Sequence, residues 1–489
     1  MNRIPAGRQL SFSRFASLTN LSRYDVYLLL SCLTYLILVA TQLNETNIGY
    51  NDQVFLYTSW RFADGAVLYK DILLGYPPLI SVVGALFLRI TSSYLQLKIV
   101  NLLLYVAATV LVYRLSFKLL GGKRVALVSA LVYLILPIRY GLAPAFYPDN
   151  YVLLFVLFSI VLLLNHTPRS ILLSSIFSIL ALFTKYTVLP LIIGSIFYLQ
   201  IKDRGLLKYY LLPLLASTLS LTAVLQVYSQ GNFVPQTLAM PASSWSWSNL
   251  GHLLDGLRNI GRWEGVFIAL FLPGIVLYMK QKGPKEHLVL LLPFSFLPVF
   301  FMLHPGTGEY VFMFAEPWIA LFAVYGVMKI HSRASARIVR LKSVLKVGML
   351  LLLLAASFRT VLVYDKTSGW KDRDQIISDY SRAVRMYSGP EDMILAPSML
   401  AFKSERRIAL EMADVAYLGE SYQHGDVYAH GVVKTISGML ERKQITVIVP
   451  QGYYRLARSY NYSDGTFRAY TFPFDLPEVA NLILANYRP

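Results

Sequence analysis

The sequence predicts an α-helical polytopic membrane protein with a small α/β domain at its C-terminal end. Of the 489 residues, 56% are hydrophobic and only 15% are charged, whereas about a quarter of the residues of a typical soluble protein are charged. Long apolar segments recur along most of the chain, and each is about long enough to cross a hydrocarbon core of ~30 Å. From residue 365 onward, helix-like and strand-like pieces alternate instead, for example at 372–387, 393–396 and 445–449.

The charges of the connecting loops predict eleven spans and their orientation. With residue 25 in the cytoplasm, every basic cluster of the membrane part falls on the cytoplasmic side, as the positive-inside rule requires. The last inner loop, 329–346, has six Lys or Arg and no acid. Counting 79–93 as a further span would move the later clusters outside, so the apolar segment 79–90 is predicted to lie in the membrane interface. The predicted spans are 26–43, 98–117, 124–140, 150–165, 170–184, 186–200, 209–228, 264–279, 287–303, 312–329 and 344–363.

Composition also excludes several classes of protein. The net charge of +18 is explained by the basic inner loops and does not require a nucleic-acid partner. The one cysteine, Cys32, excludes an intrachain disulfide and a cysteine-ligated metal site. There is no P-loop and no GxGxxG after a predicted strand, which argues against a nucleotide-sugar transferase or an ATP-driven pump. The basic N-terminal lead and long first apolar run predict a retained signal-anchor with a cytoplasmic N-terminus.

The outer loop 43–78 contains the most informative stretch of the chain. From Asn51 to Leu79 the sequence is NDQVFLYTSWRFADGAVLYKDILLGYPPL, with an acid, then Tyr, Arg and Gly, then Tyr-x-Asp, then Pro-Pro-Leu. This order resembles the first outer loop of GT-C glycosyltransferases, membrane enzymes such as protein O-mannosyltransferases and lipid A aminoarabinose transferases. The resemblance covers roughly residues 25–330 and implies a GT-C-like transmembrane catalytic domain, which we assign to residues 1–364. The predicted topology makes residues 365–489 an extracytoplasmic domain, which resembles the family only loosely.

The resemblance also implies a function. Such enzymes transfer a single hexose or pentose, with inversion, from a polyprenyl-phosphate donor to a glycan, lipid or protein acceptor. The reaction takes place on the extracytoplasmic face of the inner or plasma membrane. A lipid-linked oligosaccharide ligase or oligosaccharyltransferase, which moves a glycan en bloc, is one alternative, and a transporter is another. Transporters typically contain inverted repeats and paired broken helices, and this sequence shows neither.

Two acidic residues are the candidates for catalysis. Transfer from a polyprenyl-phosphate sugar needs a base for the acceptor hydroxyl and positive charge near the departing phosphate. The resemblance implies that Asp52 is the base, and that Asp149, in the segment 146–150, is the second outer acid of the family. Either residue could instead cap the helix that follows it. Two acids at one site could also hold Mg²⁺ or Mn²⁺, as in some members of the family, so a metal cofactor and none are both open.

Lys185 is the main candidate for binding the phosphate. It interrupts an apolar run from 171 to 199 near the outer surface, and an ionisable residue within a span is a functional candidate by default. The resemblance implies a role at the lipid phosphate, whereas a snorkelling turn lysine is the alternative. Arg258 or Arg262 is expected to replace an arginine that the family often has where this chain has Glu309. The complete set of predicted substrate-binding residues is Tyr57, Arg61, Tyr76, Lys185, Arg258, Arg262, His304 and Tyr310.

Overall fold

The residues described by the computed structural model cover most of the chain. They are 22–40, 43, 50–91, 93–136, 143–243, 245–282, 290–304, 307–333, 370–396, 398–409, 427–448, 479, 483 and 485–486. The predicted span 344–363 and the predicted domain boundary after residue 364 lie outside these residues.

The described membrane part is built almost wholly from helices. Its helices are α1 (Arg23–Ala40), α2 (Tyr50–Ala63), α3 (Leu79–Ile90), α4 (Tyr94–Leu120), α5 (Lys123–Leu134), α6 (Pro148–Leu163), α7 (Pro168–Leu182), α8 (Leu189–Lys202), α9 (Leu207–Tyr228), α10 (Leu250–Lys282), α11 (Leu291–Phe296) and α12 (Glu316–Arg333). Shorter 3₁₀ segments precede or follow several of them: Tyr186–Val188, Arg204–Leu206, Trp247–Asn249, Leu297–Leu303 and Glu309–Phe314.

Local sequence explains where several helices begin and end. Pro148 starts α6 at a position where a missing N–H costs nothing, because the first helical N–H groups have no partner within the helix. Thr167 caps α7, since its hydroxyl accepts a hydrogen bond from the backbone N–H of Ser170 at 3.2 Å. Gly121 ends α4 with φ +75°, a left-handed conformation that favours glycine.

The predicted fold class is confirmed, although the count of eleven spans is not exact. Four described stretches are long and apolar enough to cross a membrane: Arg23–Ala40, Tyr94–Leu120, Arg204–Tyr228 and Trp247–Gln281. Shorter apolar helices lie at several of the other predicted spans, and α3 has the bounds predicted for the interfacial segment.

One predicted boundary is wrong. The expected outer loop 229–263 is helical from Leu250 onward, because α10 continues without a break for 33 residues. The outer half of α10 carries charged residues on an exposed face and therefore has a low mean hydropathy. An amphipathic helix nevertheless needs only one apolar face against its neighbours. Hydropathy alone therefore locates the membrane-crossing half of this helix and misses the rest.

At each end of the helix bundle, hydrogen bonds join neighbouring helix ends into a layer. At one end of the bundle, the Lys118 ammonium donates to the carbonyl of Val161 at 3.1 Å and to Asn165. At the other end, the backbone N–H of Leu79, just after the Pro-Pro pair, donates to the carbonyl of Phe183 at 3.0 Å. The first layer contains the basic loops, and the second contains the outer-loop stretch that carries the family resemblance.

Helices α10 and α12 cross at very short range. A Cβ atom added to Gly274 would collide with the backbone carbonyl of Phe322, and the backbone of Gly326 lies opposite. Small residues allow this kind of close backbone approach between helices in a membrane. The crossing fixes α12, and with it the 3₁₀ segment that precedes it, against α10.

The C-terminal part has the predicted α/β character. Its three short strands are parallel, in the order β2-β1-β3. The central strand pairs Met393 with Arg407 on one side and with Ile445 on the other. Its described elements are α13 (Trp370–Tyr387), β1 (Met393–Leu395), α14 (Ser398–Ser404), β2 (Arg407–Ile408), α15 (Val427–Glu441) and β3 (Ile445–Ile448).

The α/β part packs against helix α2 of the outer loop. The backbone N–H of Ile408 donates to the Tyr57 hydroxyl at 2.8 Å. The rings of Trp60 and Phe402 meet edge to face, with centroids 5.9 Å apart. Helix α2, which has the candidate base in its first turn, therefore packs against the C-terminal part.

Candidate active site

The first candidate residue, Asp52, lies in the opening turn of α2. An acid is favoured there because the N-terminal end of a helix carries a partial positive charge. The side chain is nevertheless almost fully enclosed, with only 3% of the residue exposed. Residues three apart share one face of a helix, so Phe55, at 0% exposure, lies on the same side of α2 as Asp52.

The second candidate acid forms a buried ion pair with the candidate lysine. The Lys185 ammonium lies 3.0 Å and 2.9 Å from the two carboxylate oxygens of Asp149, and both bonds are buried. Asp149 follows Pro148 in the first turn of α6, whereas Lys185 follows the end of α7 in an extended conformation. Two residues 36 positions apart thus meet where one helix begins and another ends. Charge-assisted bonds of this kind are about twice as strong as neutral ones.

Two tyrosines enclose the ion pair. The Lys185 ammonium lies 4.1 Å from the ring centroid of Tyr310 and 5.6 Å from that of Tyr147. The two rings meet edge to face at 5.4 Å, and the Tyr147 hydroxyl hydrogen-bonds to Tyr310. Cations are attracted to aromatic faces at such distances, most strongly where water is excluded.

The electrostatics of Tyr147 link this pair to Asp52. Burial raises the pKa of Tyr147 well above its usual value, and Tyr310 and the carboxylates of Asp149 and Asp52 raise it further. Burial also raises the pKa of Tyr310, although the Lys185 ammonium opposes that effect. Both phenols therefore stay neutral at ordinary pH, so any base in this group has to be a carboxylate.

The other predicted residues of the outer loop take different positions. The Tyr76 ring packs edge to face on Phe55 at 4.9 Å, and Phe55 reaches Tyr147 at 6.3 Å, so Tyr76 borders the cluster. Tyr57 instead accepts the hydrogen bond from the C-terminal part. Arg61 pairs with Asp64 at 2.5 Å near the end of α2. The structure thus brings Tyr76 to the cluster, whereas the contacts described for Tyr57 and Arg61 are with the C-terminal part and with Asp64.

The arginines expected to replace the missing family arginine are not in a loop. Arg258 and Arg262 lie on the outer half of α10, and both are exposed. Arg258 is 3.5 Å from Asp255 on the same helix. His304 is buried after the segment Leu297–Leu303, where its carbonyl accepts from the N–H of Thr307 at 3.0 Å. The described contacts therefore leave Lys185 as the cation at the centre of the cluster.

Comparison with known proteins supports the resemblance noted in the sequence. Residues 76–229 match the sequence model of the family described as dolichyl-phosphate-mannose-protein mannosyltransferase. The structure of ArnT from Cupriavidus metallidurans bound to undecaprenyl phosphate matches with a TM-score of 0.60 at 15% identity, covering 89% of this chain and 95% of that one. The chain has the GT-C fold. No curated protein matches the sequence.

The family match covers part of the candidate site. Tyr76, Asp149 and Lys185 fall within residues 76–229, whereas Asp52 and Tyr310 lie outside them. The structural match covers 89% of the chain and is therefore wider than the matched segment. The site thus combines residues from the matched segment with residues from the outer loop before it and from the 3₁₀ segment before α12.

Sequence reasoning missed two aromatic residues of this candidate site. Tyr147 was visible in the segment 146–150, directly before the Pro-Asp pair, and Phe55 was visible one helical turn after Asp52. An aromatic residue beside a candidate charged group was a usable signal, because a cation is stabilised by an aromatic face. A third residue, Gln236, gave no signal in the sequence, because its contacts are with residues more than 160 positions away.

The two acids fit a divalent cation poorly in this arrangement. Among the described residues there is no group of three or more His, Cys, Asp or Glu side chains that could hold a metal ion. Both oxygens of Asp149 already bind the Lys185 ammonium, and a cation on the same carboxylate would lie against that positive charge. The reaction proposed below therefore involves neither Mg²⁺ nor Mn²⁺.

Proposed function

We propose that this protein is a membrane glycosyltransferase that transfers one sugar from a polyprenyl-phosphate donor to an acceptor at the outer face of the membrane. The observation that carries the proposal is the buried ion pair of Asp149 and Lys185 beside Tyr147 and Tyr310, in a chain with the GT-C fold. The buried carboxylate of Asp52 is close enough to raise the pKa of Tyr147. The donor class is supported by the undecaprenyl phosphate bound in the ArnT structure.

In the proposed reaction, the acceptor oxygen attacks the anomeric carbon from the side opposite the phosphate. The bond between that carbon and the phosphate oxygen breaks, and its electron pair leaves with the phosphate, so the configuration inverts. Asp52 takes the proton of the acceptor hydroxyl, a role typically worth ~10² to 10⁴ in rate. Lys185 stabilises the charge that grows on the phosphate, and a water-excluding site strengthens that interaction.

Asp149 is proposed to position Lys185. Its two oxygens hold the ammonium at 2.9 Å and 3.0 Å, so the cation keeps its orientation in a buried site between turnovers. The neutral hydroxyl of Tyr310, which accepts from Tyr147, is suited to donate a hydrogen bond to a phosphate or sugar oxygen without competing with Asp52 for the proton.

The outer location of the reaction rests on charge. The layer opposite the site contains the basic helix ends, among them Lys118, and such clusters lie on the cytoplasmic side of membrane proteins. The site, and the C-terminal part that packs on α2, are therefore proposed to face the extracytoplasmic side. The N-terminus is proposed to be cytoplasmic.

The decisive experiment measures consumption of polyprenyl-phosphate sugars by the purified protein and by Asp52→Asn. The substitution keeps the size and hydrogen-bonding capacity of the side chain, and Asn caps a helix about as well as Asp. Turnover should fall by a factor of ~10² to 10⁴, while donor binding should stay near normal. Wild-type turnover in Asp52→Asn would refute the assignment of the base.

Two further arms complete this experiment. A panel of donors that carry one sugar or a preassembled oligosaccharide tests single transfer against transfer en bloc, because only the latter predicts a preference for the long glycan. Activity after treatment with a chelator tests the metal. Loss of activity on chelation and its return with Mg²⁺ or Mn²⁺ would contradict a reaction in which Lys185 alone offsets the phosphate charge.

A further inference from the structure

The outer loop contains a strained residue between α2 and the Pro-Pro pair. Tyr69 has φ +65°, a left-handed conformation that is strained for a residue other than glycine. The residue is completely buried. Its N–H donates to the carbonyl of Ile72 at 3.0 Å, which closes a tight turn. Such strain persists only where the surroundings hold the backbone in place.

A distant glutamine holds this turn. The Gln236 side-chain amide donates to the carbonyl of Tyr69 at 2.7 Å and accepts from the N–H of Leu74 at 3.0 Å. Gln236 is 1% exposed, and Phe233 on the same segment packs edge to face on the Tyr69 ring at 5.0 Å. One side chain thus satisfies two buried backbone groups on either side of the strained turn.

The turn is connected to the candidate site. The Tyr69 hydroxyl donates to the carbonyl of Tyr76 at 2.8 Å, and burial raises the pKa of Tyr69 well above its usual value, so the hydroxyl remains a donor. The Tyr76 ring packs on Phe55 at 4.9 Å, on the face of α2 that also carries Asp52. A displacement of the turn would therefore reach the proposed base through two contacts.

We propose that Gln236 is a positioning residue for the outer loop, which latches the strained turn at Tyr69 so that Tyr76 and Phe55 keep Asp52 in place. Gln236 itself belongs to the segment between α9 and α10, outside the loop that it holds. The role of this latch in catalysis rests on the function proposed above, whereas the latch itself can be measured without any substrate.

The test replaces Gln236 by Met, which keeps the length of the side chain and removes both hydrogen bonds. The matched control is Gln226→Met. Gln226 also donates to one backbone carbonyl, that of Gly231 at 2.5 Å, and accepts from one backbone N–H, that of Val234 at 2.9 Å. Both of its partners are within eight positions of it along the chain, so its loss removes no hydrogen bond to the outer loop.

The first measurement is the rate at which an impermeant thiol reagent labels Leu73→Cys in protein that carries Cys32→Ser. Leu73 is 5% exposed within the held turn. Gln236→Met should speed labelling roughly tenfold or more, because two hydrogen bonds that oppose opening are lost. Gln226→Met should leave the rate unchanged. Equal labelling in both variants would overturn the latch.

The second measurement is turnover. Misplacement of a catalytic group by about 1 Å can cost 10²-fold, so Gln236→Met should lower kcat by a factor on the order of 10 to 100. The KM for the donor should change little, because Lys185 and Asp149 lie on other segments. A kcat equal to that of wild type, or the same loss in Gln226→Met, would refute the positioning role.

A second variant is used if Gln236→Met does not give a monodisperse protein. This variant, Tyr69→Phe, removes only the bond to Tyr76 and keeps the ring against Phe233. It should lower kcat in the same direction by a smaller factor, and an unchanged kcat would refute the connection. Faster labelling in a protein whose wild type consumes no polyprenyl-phosphate sugar would support the latch and contradict the proposed function.

Discussion

Breaking the buried pair of Lys185 and Asp149 one residue at a time separates its part in stability from its part in catalysis. In Lys185→Met, both carboxylate oxygens of Asp149 lose the ammonium at 2.9 Å and 3.0 Å, in a residue that is 0% exposed. Removing one partner of a buried ion pair typically costs 3–5 kcal/mol, because the remaining charge is left without compensation. The thermal unfolding midpoint of this variant should therefore fall clearly.

The double variant Lys185→Met/Asp149→Asn removes both charges together. Replacing a whole buried pair by neutral groups is often close to neutral for stability, so the double variant should recover most of the lost midpoint. Turnover should not recover, because the positive charge proposed to stabilise the phosphate is still absent. Stability and activity should thus respond to the second substitution in different ways.

The assay follows thermal unfolding in detergent and donor consumption for the two single variants and the double variant. Lys118→Met is the matched control, because Lys118 is also hydrogen-bonded, at 3.1 Å, but in the layer opposite the site. It should leave the KM for the donor unchanged. Recovery of activity along with stability in the double variant would refute the catalytic role of Lys185. An unchanged midpoint in Lys185→Met would refute the buried pair.

The remaining predictions concern packing and orientation. Gly274→Ala should lower the unfolding midpoint by the equivalent of 1–3 kcal/mol or more through overpacking, whereas Gly265→Ala, with nothing within 4 Å of the added Cβ, should not. Tyr57→Phe leaves a buried backbone N–H without its partner, at a cost of about 1–3 kcal/mol, so limited proteolysis should release the C-terminal part faster; an unchanged cleavage rate would contradict the docking. An impermeant thiol reagent should label a cysteine at Glu391 in intact cells and not one at Arg169, and the reverse pattern would invert the proposed topology.

The sequence predicted the location of those residues whose position follows from the local sequence pattern or from their charge. Asp149 and Lys185 stood out because each interrupts or precedes an apolar run, and the alternation of basic loops located both at the same end of the bundle. The bounds of α3 match those of the apolar segment 79–90, whose location in the membrane interface stays a prediction. These inferences are possible because a charged residue inside a membrane costs free energy. The position of each charge in the sequence therefore carries information about the structure.

Other features could not be predicted because they depend on distant partners. Nothing near Tyr69 in the sequence indicates a left-handed backbone, since the strain is supported by Gln236 from 167 positions away. Tyr57 was assigned to substrate because of its place in the family-like string, yet its hydroxyl meets a backbone group 351 positions later. The helical outer half of α10 was taken for a loop because hydropathy measures burial in lipid and not helicity.

The uninterrupted length of α10 also sets the height of the site above the bilayer core. Asn259 on this helix donates to the Glu309 carboxylate at 2.6 Å, directly beside Tyr310. Asn259 precedes the last residue of α10, Lys282, by 23 positions, which is ~35 Å along the axis at ~1.5 Å per residue. The hydrocarbon core is ~30 Å thick. In the proposed topology, the basic end of α10 lies at the inner surface, and this length would place Tyr310 level with the outer phosphate groups of the lipids. That is the depth at which a lipid-linked phosphate resides without leaving its leaflet.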